Sequence, residues 1–595
     1  YIIFNNYFAD HITGEQNIMS AANKEELKSR IAMAAALESA DLVLKGGRVF
    51  NVFTKSWETA DVAICGHTIV GIGSYQGKKE LDVTGLYLTP GLMDAHVHFE
   101  SSMLAPREMA KILLLNGVTG AVIDPHEIAN VMGIDGLQFI LRETEDIPFS
   151  AYVMIPSCVP ATDLDTSGAC LSAGEMAAVC RLSSRVLGLA EMMNVPGVLQ
   201  KQELVMDKLQ LFADRVIDGH APGLSGNLLN AYIAAGVMTD HECVTMEEAL
   251  EKVSRGMYVF MREGSAAHNL LDLLPLLDKV DNRRVCLCTD DRHADDLIGQ
   301  GSINYSLEIG VTQGYPAEQL IPLATLNTAE CYGLQHVGAL APGYVADIAV
   351  FDDAEHFQPR HVIKNGIQVV RNRKLLWDSV PVAEAPASSM RMQELTEAAL
   401  QIPAREGKKI RVIEISPTQL LTKERHLAPL IKEGAAVSDT QRDILKMAVC
   451  ERHHHTGNIG LGFVTGFSLK RGAIATTVGH DSHNLAIVGT KDADMVLAGN
   501  HLKEIGGGLV IVADGEVKAA LPLAIGGLMS SGKAETVNAL LQQLNFWLKE
   551  AGVPEEYSTF MVLSFLSLPV IPELRLTDQG LVDVKQFRHV DIWCE

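Results

Sequence analysis

In the run LTPGLMDAHVHFESS, two histidines stand two residues apart at the end of an apolar stretch. On a strand alternate side chains share a side, so His96 and His98 can offer two imidazole nitrogens to one metal ion. Histidines at this spacing also occur at surfaces and in satisfied cores; the preceding Pro-Gly and the nearby Asp94 favour ligation. Other short apolar runs end in groups of the same chemistry: Asp124 with His126 and Glu127, then Glu191, His220, Glu263 and Asp290. A divalent ion held by such groups lowers the pKa of a bound water from about 16 towards about 7, which makes hydroxide available at neutral pH. A carboxylate beside it can take the proton and hand it to a leaving group. Asp290, which follows Thr289 at the end of VCLCT, is one such strand-end carboxylate. Its neighbour Asp291 competes, and one of the two is expected to cap the next helix.

Residues this far apart in sequence meet only if their elements converge. Across residues 92–334, short buried runs (GAVIDPHE, AYVMIPSCVP, VLGLAEMM, RVIDGHAP, MYVFMREG, VCLCTDD) alternate with helix-length segments such as TMEEALEKVSRG. That alternation predicts βα units around a parallel sheet. A doubly wound sheet would also gather its strand ends, but about eight such runs favour a (β/α)8 barrel, whose strands all end at one rim. Residues 41–91 read as short β runs with Gly turns, a small antiparallel sheet, and residues 335–380 return to that pattern. The two are expected to pair into one β-sandwich-like domain split by the barrel. Residues 1–40 read as a leader and helical segment, with Met19 as a candidate start. Val380–Ser389 reads as a linker, and residues 405–595 as a separate α+β domain. The predicted class is therefore α/β, a catalytic barrel with a small split β-sheet domain and a C-terminal α+β domain.

At 595 residues and 47% hydrophobic, the chain can bury the cores of about two to four domains. The net charge of −24 argues against a nucleic-acid or anionic-membrane surface, which needs clustered Lys and Arg. No apolar run approaches the roughly 18 to 20 uncharged residues that span a bilayer. The ten cysteines form no tight framework and read as reduced thiols of a cytoplasmic protein. His453, His454 and His455 invite a metal reading, but consecutive side chains diverge, so a solvated loop is expected.

The PGLMDAHVH segment resembles the first metal motif of the amidohydrolase superfamily, a likeness that runs from about Ala40 to Asp353. More narrowly, HVHFESSM, DPHEIANVMG, GLAEMMNVPGV, DGHAPGLSGNLLNAYIAAG, MREGSAAHNL, CTDDRHADDL, VGHDSHN and SLPVIPELRLT are similar to bacterial adenine deaminases, C-terminal domain included. The resemblance implies that His96 and His98 bind a first ion and that Glu191 bridges two, where many relatives use a carboxylated Lys. It implies ligand or transition-state roles for His220 and His241, the latter also polarising the site, and makes Asp290 the final barrel aspartate. A helix-capping or core role for His241 remains the alternative. The position of Asp124, His126 and Glu127 suits purine contact or support of the ligands, with an Asn/Asp-rich turn of no catalytic part as the alternative, and Glu263 and Arg292 could hydrogen-bond the purine edge. His480, Asp481 and His483 are left open between closing the barrel mouth, binding an extra ion and holding an interdomain contact.

The cofactor implied is a binuclear divalent centre. Mixed imidazole and carboxylate ligation suits Mn2+, Fe2+ or Zn2+, and the resemblance favours the first two. The activity implied is hydrolytic deamination of adenine to hypoxanthine and ammonia in purine salvage, by a homo-oligomer whose only other partner is that small molecule. The H-x-E and P-C-x-x-C signature of the other deaminase architecture is absent, as are a phosphate loop and a G-x-S-x-G elbow. A cyclic amidohydrolase or an aminohydrolase of another heterocycle is the nearest alternative. A catalytically silent assembly protein with this fold would be expected to have lost ligands that are all present here.

Overall fold

The computed structural model describes residues 24–378, 390–416, 419–554 and 558–595. Met19 and Val380–Ser389 lie outside the described residues. After the helix Lys24–Ala34 the chain lays down β1 (Ala40–Asn51), β2 (Ser56–Cys65), β3 (Thr68–Gly73), β4 (Gly77–Asp82) and β5 (Tyr87–Pro90). These strands join β14 (Ile348–Phe351), β15 (Pro359–Lys364), β16 (Ile367–Arg371) and β17 (Lys374–Leu375) in one nine-stranded sheet. The union is the antiparallel pairing of β5 with β14. The sheet is mixed, not purely antiparallel: after β3 the chain crosses to the far edge of β1, where β4 and then β5 pair with it in parallel.

Between the two halves lie eight parallel strands: β6 (Leu92–Val97), β7 (Val118–Ile123), β8 (Ser150–Ile155), β9 (Val186–Met192), β10 (Val216–Gly219), β11 (Thr239–Asp240), β12 (Tyr258–Arg262) and β13 (Val285–Cys288). The ring closes twice. Met238 N donates to Ile217 O at 2.9 Å between β10 and β11, and Asp290 N donates to His96 O at 3.0 Å between β13 and β6. Strands β6, β7 and β8 are buried at every position, the condition that near-continuous apolar runs satisfy when helices cover one face and a packed interior the other. Met93, Ala95, Val122, Tyr152, Met154, Ala190, Phe260, Cys286 and Cys288 fill that interior as one cluster. Two glycines set the strand spacing near the site. A Cβ on Gly188 would lie 2.0 Å from Val216 O, and one on Gly219 would lie 2.3 Å from Thr239 O.

The C-terminal region forms its own nine-stranded sheet, with Gln419–Leu427 at one edge, Glu516–Pro522 at the other and Trp593–Cys594 paired to Lys409–Ser416, backed by the helices Asp492–Ile505 and Ala534–Glu550. The second helix buries Ala534, Val537, Leu541, Leu544 and Leu548, a three-and-four spacing that makes one apolar stripe. This region docks on the rim side of the barrel: Ser530 N donates to Met103 O at 2.8 Å, and Ala534 N to the Glu108 carboxylate at 3.2 Å. No helix among the described residues is long and apolar enough to cross a membrane.

Candidate metal centre and its cavity

Each ligand leaves the barrel at or just past a strand end. In β6 the register breaks between Asp94 and Val97, and the two imidazoles converge, His96 Nε2 lying 3.2 Å from His98 Nε2. Asp290 Oδ1 is 3.0 Å from His98 Nε2 and 3.4 Å from His96 Nε2. Glu191 Oε1 is 3.5 and 3.9 Å from the same two atoms. Its other oxygen, Oε2, meets His220 Nδ1 at 2.7 Å and His241 Nε2 at 3.3 Å. One carboxylate thus stands between two groups of donors. His96, His98, Glu191, His241 and Asp290 are all at most 6% exposed.

The donor set fits a divalent cation. His98 Nδ1 donates to Asp124 O at 2.8 Å, so in the neutral ring Nε2 keeps its lone pair and aims it at the other ligand atoms. Lone pairs gathered this way repel one another unless positive charge lies among them. The surrounding field calls for the same charge: burial alone would keep His241 neutral, yet Glu191, Asp290 and Glu242 push its pKa up to about 9. These groups have the types and spacing that can hold a metal ion.

Neighbouring groups fix the ligands in place. Asp94, whose pKa burial pushes up to about 7, accepts from Thr289 N at 3.1 Å and Thr289 Oγ at 2.5 Å, which ties β6 to β13 at the rim. Asp290 sits at φ +58°, a left-handed conformation that costs a non-glycine residue roughly 1 to 3 kcal/mol. It is held there on both sides, by Asp290 N to His96 O at 3.0 Å and His98 N to Asp290 O at 3.2 Å. Lys252, fully buried, donates to Ala221 O at 2.7 Å and to Asp240 Oδ2 at 2.9 Å, joining the backbones that carry His220 and His241.

Two functional residues were missed in the sequence. Arg262 donates to Asp290 Oδ2 at 2.6 Å and grips both oxygens of Glu242. Burial opposes ionisation of Asp290, but Arg262 and the two histidines outweigh it and hold the carboxyl well below the usual carboxylate range. Asp290 is thereby oriented, Oδ2 on the guanidinium and Oδ1 on the ligand side. The available signal was strand alternation: Arg262 follows Phe260 of the barrel interior by two and shares its face. Glu263, the residue singled out instead, points the other way and pairs with the half-exposed His268 at 2.7 Å. Arg292 is likewise withdrawn from the site, its guanidinium spent on Gly301 O, Glu263 O and Gln300 Oε1. Neither residue lines the cavity.

That cavity encloses about 520 Å³ including its mouth. His98, Glu191, His220, His241 and Asp290 form its floor, with His126, Glu127 and Asp291 beside them. The C-terminal region supplies the opposite wall: His480, Asp481, Phe565, Leu568 and Ile571. Asp124 lies beneath, offering its backbone oxygen to His98 and Oδ1 to His126 N at 3.1 Å. Neither Asp290 nor Asp291 caps the following helix; His293 occupies the cap position, and Asp291 accepts from Ser101 Oγ. His453 is buried, its Nε2 donating to Ser482 O at 2.6 Å, because Glu451 draws the turn inward by accepting from three of its backbone N–H groups; His454 and His455 are exposed.

A family model described as the amidohydrolase family matches residues 87–369, and one described as the adenine deaminase C-terminal domain matches residues 419–588. The chain is 48% identical over 567 residues to adenine deaminase 2 of Carboxydothermus hydrogenoformans, covering 95% of this chain and 99% of the relative. It is 45% identical over 572 residues to the adenine deaminase of Geobacillus kaustophilus, covering 95% and 99%. It is 43% identical over 585 residues to the adenine deaminase of Lysinibacillus sphaericus, covering 97% and 98%.

Proposed function

The chain belongs to the adenine deaminase family, and on that footing we propose that the rim cluster is the centre at which it hydrolyses adenine to hypoxanthine and ammonia. The observation that carries this assignment is the divided Glu191 carboxylate, with Oε1 on the side of His96, His98 and Asp290 and Oε2 on the side of His220 and His241. Two divalent cations held by these two sets, Mn2+ or Fe2+ in preference to Zn2+, would supply ionised water at neutral pH and stabilise the charge that develops during attack.

The chain's own groups do the rest. Asp290 Oδ1 takes a proton from the attacking water, and Arg262 on Oδ2 keeps the carboxyl's proton affinity low, so the proton passes on to the ring nitrogen or the departing amine. Water adds at C6 with one of its protons reaching the ring nitrogen and the other the amino group; the C6–N bond to that group then breaks, which releases ammonia and leaves hypoxanthine. His241, stacked on His96 with ring centres 4.2 Å apart, keeps its face of the site rigid. Met193, Phe565, Leu568 and Ile571 give a flat ring an apolar wall and keep bulk water out.

The test is ammonia release by protein reconstituted with Mn2+ or Fe2+, comparing adenine with adenosine, guanine and cytosine. Release from adenine alone, lost on chelation and restored by metal, is the expected result. Metal bound with no release from adenine would overturn the substrate assignment.

A further inference from the structure

A second buried cluster of imidazoles and carboxylates lies where the barrel meets the C-terminal region. His126 and Glu127 open the helix His126–Met132 that follows β7, whereas His480 and Asp481 sit in the loop between the strands Ala473–Thr476 and Leu485–Gly489. His126 Nε2 is 3.1 Å from Glu127 Oε1 and 3.6 Å from Asp481 Oδ1, and His480 Nδ1 is in close contact with the same Glu127 oxygen. One ligand atom from each of the four lies within 4.8 Å of the others, and all four residues are at most 4% exposed. Glu127 Oε1, the oxygen that faces both imidazoles, and Asp481 Oδ2 are buried with no hydrogen bond of sound geometry. Buried carboxylate oxygens without donors are costly, and several in one place ask for a ligand.

His483 touches the other Glu127 oxygen but has a different part. Gly479 N donates to its Nδ1 at 3.2 Å, which puts the neutral ring's proton on Nε2, the atom facing Glu127. It therefore orients the carboxylate and has no lone pair to give. His126 has one to give. Its Nδ1 faces Asp124 Oδ2 at 3.3 Å and Glu191 Oε1 at 3.4 Å, so carboxylates favour the proton on that nitrogen and leave Nε2 free.

We propose that His126 Nε2, Glu127 Oε1, His480 Nδ1 and Asp481 Oδ1 hold a divalent transition-metal ion, separate from those of the rim, that ties the C-terminal region to the barrel. A dication on two carboxylates and two neutral imidazoles leaves the buried cluster with no net charge, whereas the same groups alone would bury two negative charges. Two nitrogen and two oxygen donors without thiolate suit Zn2+, Mn2+ or Fe2+. Two ligands come from each side of the seam, so the ion also fixes the cavity's far wall, where Phe565 stacks on His480 with ring centres 4.4 Å apart.

The test is metal content per chain after dialysis, together with anomalous scattering from crystals at the metal edge. Three equivalents are expected, with one peak among the four ligands; Asp481→Asn and His480→Gln should each fall to two equivalents and keep the rim peaks. Two equivalents in the parent, unchanged in both variants and with no seam peak, would overturn the proposal and leave a network of protonated imidazoles on Glu127. The parent's own scattering reads the site even if a variant fails to fold. A seam peak with none at the rim would uphold this site and remove the rim assignment instead.

Discussion

The rim cluster and the seam cluster use the same residue types and share the His126 ring, one nitrogen facing each, yet they are held in different ways. At the rim every ligand grows from the barrel, and ladder bonds between β6 and β13 fix Asp290 against the two histidines. The rim also has its own buried cation, since Arg262 pairs with both Asp290 and Glu242. At the seam half the ligands come from a region more than 300 residues away in the chain, and the ion-pair partners of Glu127 and Asp481 are all histidines. A centre built on one scaffold can be set by backbone geometry and a fixed counter-charge. One built across two regions depends on how those regions dock.

The largest effect that would break this comparison is the loss of Arg262. In Arg262→Met the carboxylates of Asp290 and Glu242 lose their common partner, and Asp290 is free to turn. Turnover of adenine should fall about 10²- to 10³-fold, the scale of losing one preorganised charged donor, while seam metal is retained. Steady-state kinetics alongside metal analysis checks both halves. Near-parental turnover would mean that the ladder bonds alone orient Asp290 and that the counter-charge is dispensable.

What could be read from sequence follows the same division. The barrel and the convergence of His96, His98, Glu191, His220, His241 and Asp290 on its rim were legible because each sits at the end of a short apolar run, and a strand end is a local feature. The direction of a side chain one residue further along was not. Arg262 and Glu263 both follow the apolar run of β12, and choosing between them requires the registration of the strand's two faces, which Phe260 in the interior fixes. Arg292 was misplaced for a related reason, because a loop residue's partners, here three oxygens within the fold, leave no periodic trace. His480, Asp481 and His483 stood out as a motif, but their partner Glu127 is set by docking, which no local pattern records.

Docking itself can be loosened without touching either cluster. Asp578 accepts from Thr166 N at 2.9 Å and Thr166 Oγ at 2.7 Å on the barrel side. On its own side it accepts from Asn458 at 3.2 Å and Asn484 at 3.4 Å. Asp578→Ala strands these donors, at about 1 to 3 kcal/mol by the usual penalty for an unsatisfied buried group. Urea titration should show that loss, and metal analysis should show weaker retention at the seam with the rim complement unchanged. Equal loss from both centres would mean that the barrel and the C-terminal region behave as one unit and that the contrast between scaffolds is false.

The smallest effect is the sharpest control on the rim. Glu263 is adjacent to Arg262, but its carboxylate faces away from the cavity and meets His268, whose side chain is 54% exposed. The hydrogen bond that His268 Nδ1 donates to Glu263 raises the His268 pKa above its ordinary value of 6.5. A raised histidine pKa stabilises the fold fully below the unfolded value, and the contribution is lost as pH rises through the folded one. Solvent screening at so exposed a pair limits it to about 0 to 1 kcal/mol. Glu263→Gln should therefore lower the urea midpoint slightly near pH 6, leave it unchanged near pH 9, and leave adenine turnover at the parental rate. A large fall in turnover would return Glu263 to the purine edge and dissolve the distinction between the two faces of β12, because neighbours on one strand would then both reach the cavity.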